Sequence, residues 1–106
     1  MIRSIQVIVL VAVLCLAAAP AYTQGAGIEW EILNQEAMEL YRTGKYDRAI
    51  VVAKKALEVA EKNVGPNHPD VATSLNNLAA LYRATKRIVE AEKLEERAAR
   101  IRAIKR

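Results

Sequence analysis

Cysteine occurs once in the chain, at Cys15 inside an uncharged stretch, and histidine once, at His68. Zinc and similar ions need several His, Cys or carboxylate ligands converging on one point, and a single histidine with no companion cannot supply them. Asp47 and Asp70 are the only aspartates. Neither makes an obvious acid–base pair with a nucleophile. Ser74 and the threonines have no histidine base at a plausible place, and no glycine-rich phosphate loop is present. The residues therefore describe no catalytic constellation, no metal site and no cofactor site, so an enzyme is not expected.

The longest apolar stretch is also limited. Residues Ile5–Ala19 carry no charge, and Val7–Leu16 is a continuous apolar run. A spanning helix needs about 20 apolar residues, so this run is short for an anchor. With Arg3 before it and Ala19-Pro20-Ala21 after it, it has the three parts of a secretory signal. The expectation is a signal peptide over 1–21, cleaved near Ala21, and an exported protein, periplasmic or secreted. An uncleaved signal holding the domain at a membrane is the alternative. Leu14 precedes Cys15 where a lipidation signal needs a small residue, so Cys15 reads as one more apolar side chain. After cleavage the chain has no cysteine and must be stabilised by packing alone.

The rest is rich in Ala, Leu, Glu, Lys and Arg, all good helix formers, and nothing in it reads as a strand. Residues 22–27 read as a flexible leader. From Ile28 the apolar period is helical. Leu33, Ala37 and Leu40 mark a first helix, with Gly44 placed to close it. Tyr46, Ala49, Ile50, Ala53, Ala56, Leu57 and Ala60 mark a second. The segment 63–70 breaks the pattern, with Pro69 suited to the first turn of the next helix and Asn67 or His68 as its cap. Ala72, Leu75, Leu78, Ala79 and Tyr82 give a third helix; Ile88, Ala91, Leu94, Ala98 and Ile101 give a fourth.

A shift of 42 residues superimposes Leu33 on Leu75, Asn34 on Asn76, Ala37 on Ala79, Ala49 on Ala91 and Ala56 on Ala98. Self-similarity of this period signals a helical repeat array. The run 75–83, Leu-Asn-Asn-Leu-Ala-Ala-Leu-Tyr-Arg, followed by Ala91-Glu92 and Arg97-Ala98, resembles a tetratricopeptide repeat. The linker 65–72 is similar to that of the long repeats named after kinesin light chain. The resemblance implies an all-α fold of antiparallel helix pairs stacked as a short right-handed solenoid, with two repeats and four main helices. The domain is expected over 28–106, with repeat one at about 30–63, a linker at 64–70 and repeat two at about 71–104. Glu36, Lys86 and Glu95 depart from the family pattern, which has Leu, Gly and a bulky aromatic at those places. Glu95, Glu96 and Lys93 would give a polar outer face, so the array is expected to end there. Trp30, Ile28 and Ile32 are expected to cap the other end.

The resemblance also implies a groove lined by the first helix of each pair. It would draw on Asn34, Met38, Tyr41 and Arg42 from repeat one, and on Asn76, Asn77, Ala80 and Arg83 from repeat two. Asparagine both donates and accepts, so it can grip the backbone of an extended peptide; Asn76 and Asn77 can equally bond between neighbouring helices. The lysines that complete a carboxylate clamp in relatives are missing. The expected function is an interaction module that binds a protein or peptide. The alternative is a self-associating structural subunit, since stacked repeats usually need about three units for stability; a homodimer would supply them. The net charge is +4, with Arg97, Arg100, Arg102, Lys105 and Arg106 gathered at the end. These cations suit a helix C-terminus. They spread around the helix instead of forming one stripe, so nucleic acid is not expected as a partner, and membrane contact would be limited to the signal segment or this basic end.

Overall fold

The computed structural model describes residues 25–104. The expected signal peptide, residues 22–24 of the leader, Lys105 and Arg106 lie outside the described residues. Four helices follow one another: α1 (Ile28–Arg42), α2 (Tyr46–Val64), α3 (Pro69–Ala84) and α4 (Ile88–Ala103), with no strand among the described residues. Each packs on the next, and α1 also touches α3. The chain is thus an all-α helical-repeat solenoid.

The helix ends follow from local chemistry. After α1 the backbone turns left-handed at Gly44 (φ 78°), which lets the Lys45 N–H donate to the Leu40 carbonyl at 2.9 Å. The same closure recurs after α3: Arg87 N–H donates to the Tyr82 carbonyl at 2.7 Å, but the left-handed residue is now Lys86 (φ 65°). Thr43 and Thr85 each donate their hydroxyl to two carbonyls of the last turn. At the start of α3, His68 is the cap: its Nδ1 accepts the Asp70 N–H at 3.0 Å, and Pro69 occupies the first turn.

Alanines set the spacing between helices. Ala37, Ala49, Ala56 and their equivalents Ala79, Ala91 and Ala98 are all at most 2% exposed. A methyl side chain lets two backbones approach closely, and a larger one would be forced off its rotamer. Helix α3 is the centre of the molecule. It buries Val71, Ser74 and Leu81 in addition to the five positions its period marks, because it is covered from more than one side. Leu75 is wholly buried in a cluster with Ala60, Ala72, Ala98 and Ile101; burying such a side chain contributes about 2 kcal/mol.

Two expectations are corrected. Of the three residues expected to cap the first repeat, only Trp30 packs inward, against the cluster around Leu75; Ile28 and Ile32 are 57% and 58% exposed. The expected flexible leader is, at its end, part of the fold. Ala26 is 1% exposed, its N–H donates to Asp70 Oδ2 at 2.9 Å, and its carbonyl accepts from Asn63 Nδ2 at 2.8 Å. Both peptide groups are thus satisfied by side chains from the α2–α3 corner. Gly25 (φ 86°) permits this approach, since a Cβ there would lie 2.6 Å from Asp70 Oδ2.

Candidate protein-binding groove

Helix α1, with the residues just before it, lies beside α3 and is joined to it by three polar links. Ala26 donates to Asp70, Trp30 Nε1 donates to Ser74 Oγ at 2.6 Å, and Asn77 Nδ2 donates to Asn34 Oδ1 at 3.4 Å. Trp30 and Asn34 are one helical turn apart on α1, Ala26 lies just before that helix, and 70, 74 and 77 are successive turns of α3, which makes the links successive rungs. The last rung is the longest, beyond the usual 2.7–3.2 Å range. A depression of about 200 Å³ opens there, with Ala37 and Leu81 as floor and Met38, Tyr41, Asn77 and Ala80 as walls.

Met38 is 55% exposed and Tyr41 41% exposed, so both present apolar surface to a visitor. Tyr41 is held in place by an edge-on contact with Tyr46, ring centroids 5.6 Å apart. Small-molecule pockets usually run from about 300 to 1,000 Å³. A depression of about 200 Å³ suits one side chain of a larger partner. The asparagine pair keeps unused capacity: each amide can make about four hydrogen bonds, and the one between them is weak.

The sequence-derived residues divide on the structure. Asn34, Met38, Tyr41 and Asn77 come together with Ala80, and Asn34 reaches the wall through Asn77. Asn76 is half-buried and is not among the residues that line the depression. Arg42 pairs with Glu39 one turn back on its own helix, at the edge of a second, more polar hollow with Ile32, Gln35 and Glu36. Arg83 turns toward α4, where its guanidinium donates two bonds to the Glu95 carboxylate, at 2.8 and 2.6 Å. These bonds push the Glu95 carboxyl below its ordinary value and raise the Arg83 guanidinium further. The two cations expected in the groove are therefore matched within the chain, and none of the residues that line the depression is charged. Periodicity did not single out Ala37 and Leu81 as groove floor, because a buried residue on a groove face looks like any other core residue.

Elsewhere, Arg87 stacks over the Tyr82 ring at 4.4 Å and pairs with Glu90. Among the described residues no cluster of three or more His, Cys, Asp or Glu is placed to hold a metal ion, and no helix is long and apolar enough to cross a membrane.

Comparison with known proteins agrees with this architecture. Residues 31–103 match the family described as Tetratricopeptide repeat. Over 55 residues the chain is 48% identical to nephrocystin-3 of Homo sapiens, 47% to that of Mus musculus and 43% to that of Xenopus laevis. Each match covers 52% of this chain but 4% of the relative, so the likeness is to a short segment of much longer proteins. The match from α1 to the end of α4, on a stack of helix pairs whose equivalent alanines are buried, shows that the chain belongs to the tetratricopeptide repeat family.

Proposed function

We propose that the chain is an adaptor that holds a protein partner by an extended segment laid across the depression between α1 and α3. The observation that carries this reading is an exposed apolar hollow of side-chain size, walled by an asparagine with spare hydrogen-bonding capacity. An aliphatic side chain of the partner would fill the space between Met38, Tyr41 and Ala80, while Asn77 takes one peptide group beside it. The residues lining the depression are all uncharged, and Arg42 and Arg83 are paired with Glu39 and Glu95, so an internal stretch fits better than a terminal carboxylate. Export through the secretory signal belongs to the same proposal and would place the adaptor outside the cytoplasm.

The test uses the chain as bait in extracts of its native source, with two variants beside it. Ala80→Arg fills the hollow from an exposed position without entering the core and should abolish capture. Asn77→Ala should weaken it about five- to thirtyfold, the worth of one or two hydrogen bonds. A partner that binds Ala80→Arg as well as the parent chain would place the contact elsewhere. The mass of the purified protein decides the signal reading separately: an N-terminus at Tyr22 supports it, and an intact Met1 sinks it.

A further inference from the structure

Helix α1 carries four carboxylates, Glu29, Glu31, Glu36 and Glu39, against one cation, Arg42, in a chain whose net charge is +4. Glu39 is paired with Arg42; the other three are exposed and make no ion pair among the described residues. Two of the three share a hollow with cations: Glu29 with Lys55 and Lys62 of α2, and Glu36 with Arg42. Glu31 is placed differently. With Asn34, Met38 and Tyr41 it forms a series at i, i+3, i+7 and i+10, which sets it on the helix face turned to the groove. It stands about 10 Å along the axis from Met38, on the far side of the asparagine pair. Its equivalent on α3, 42 residues later, is Thr73, which is uncharged and donates its hydroxyl to the Pro69 carbonyl.

We propose that the segment held in the groove carries a lysine or arginine that pairs with Glu31. This inference rests on the groove reading and adds the chemistry of the partner. An extended chain rises about 3.3 Å per residue and returns a side chain to the same face every second residue. With an aliphatic side chain seated between Met38, Tyr41 and Ala80, the residues two and four positions along lie about 7 and about 13 Å away. They bracket Glu31, and the long stem of Lys or Arg closes the difference. On the way the segment passes the Asn34–Asn77 pair, where a peptide group can bond. An acidic residue at the same place would meet Glu31 with like charge, so the groove discriminates by sign. A carboxylate in the first turn also steadies the helix start, a role that affects stability and not the choice of peptide.

The experiment uses the purified full chain to select from a displayed library of random peptides. Enriched peptides should share an aliphatic residue with Lys or Arg two or four positions to one side of it. A selected peptide is then synthesised with a fluorescent label, and its affinity is read by anisotropy. Replacing its basic residue by Gln, or Glu31→Gln in the chain, should each weaken binding roughly three- to tenfold. The two changes together should cost no more than either alone, because they remove the same contact. Glu31→Lys should turn the selection toward Asp or Glu at that position, with the aliphatic preference kept. Circular dichroism of each variant checks that these exposed substitutions leave the fold intact. An aliphatic preference without a basic one overturns this inference and leaves the groove reading in place. So do additive losses, or a basic preference that survives Glu31→Lys. Peptides that bind Ala80→Arg as well as the parent chain, or a library that yields no binder, overturn both.

Discussion

Lys86 occupies a backbone conformation in which a Cβ crowds the following carbonyl, at a cost of about 1–2 kcal/mol for an ordinary residue. Forty-two residues earlier the same closure is made by Gly44. Lys86→Gly should therefore stabilise the chain by up to about 1 kcal/mol, the relief of strain exceeding the added freedom of the unfolded chain. The urea midpoint should rise with an unchanged slope. Gly44→Ala should lower it by a similar amount. Gly25→Ala combines a left-handed φ with a Cβ directed at Asp70 Oδ2, so it should release Ala26 from its site; faster hydrogen exchange at the Ala26 amide would show this. Lys86 was visible in the sequence as a departure from the family pattern. Ala26 was not, because an alanine between two glycines gives no sign that side chains 37 and 44 residues later will bind its peptide groups.

Besides the packing that periodicity shows, the elements are fastened by a few long-range polar contacts that it cannot show. Ala37, Ala79, Ala49 and Ala91 were readable as packing positions, since small residues recurring at helical spacing mark close approach. The partner of Arg83 was not readable: its helix position aims it at the groove, yet Glu95 on α4 captures it. The Glu95 carboxyl lies below its ordinary value through its bond to Arg83, so this pair contributes at pH above the ordinary carboxylate range and is lost as pH falls through the lowered value. A carboxyl-carbon NMR titration should show Glu95 returning toward the ordinary range in Arg83→Gln. The linker end is fastened differently. Arg97 of α4 reaches Glu61 of α2 at 2.8 Å and the Pro66 carbonyl at 3.3 Å. Arg97→Ala should cost about 0.5–1 kcal/mol, the scale of a half-exposed ion pair. His68→Ala removes the only side-chain cap found at the four helix starts and should cost about 1 kcal/mol.

At the scale of the whole molecule, α3 joins everything: both buried clusters include its residues, and Trp30 reaches it from α1 through Ser74. Unfolding should accordingly be a single transition. Trp30 is the sole tryptophan, so its fluorescence reports the α1–α3 contact while far-ultraviolet dichroism reports all helices; the two urea curves should coincide. Leu75→Ala, at the centre of one cluster, should lower stability by about 2–5 kcal/mol. The solenoid itself was legible, because the period repeats at 42 and the helices are short and closely spaced. The rungs between α1 and α3 were not, since they depend on how far apart two helices settle. The uncharged lining of the depression also has a kinetic consequence for the proposed groove. With no charged side chain lining it, the depression itself adds no electrostatic pull, and capture of an uncharged segment should proceed at the unsteered rate of about 10⁵–10⁶ M⁻¹s⁻¹. Selectivity among competing segments would then reside in how long each one stays.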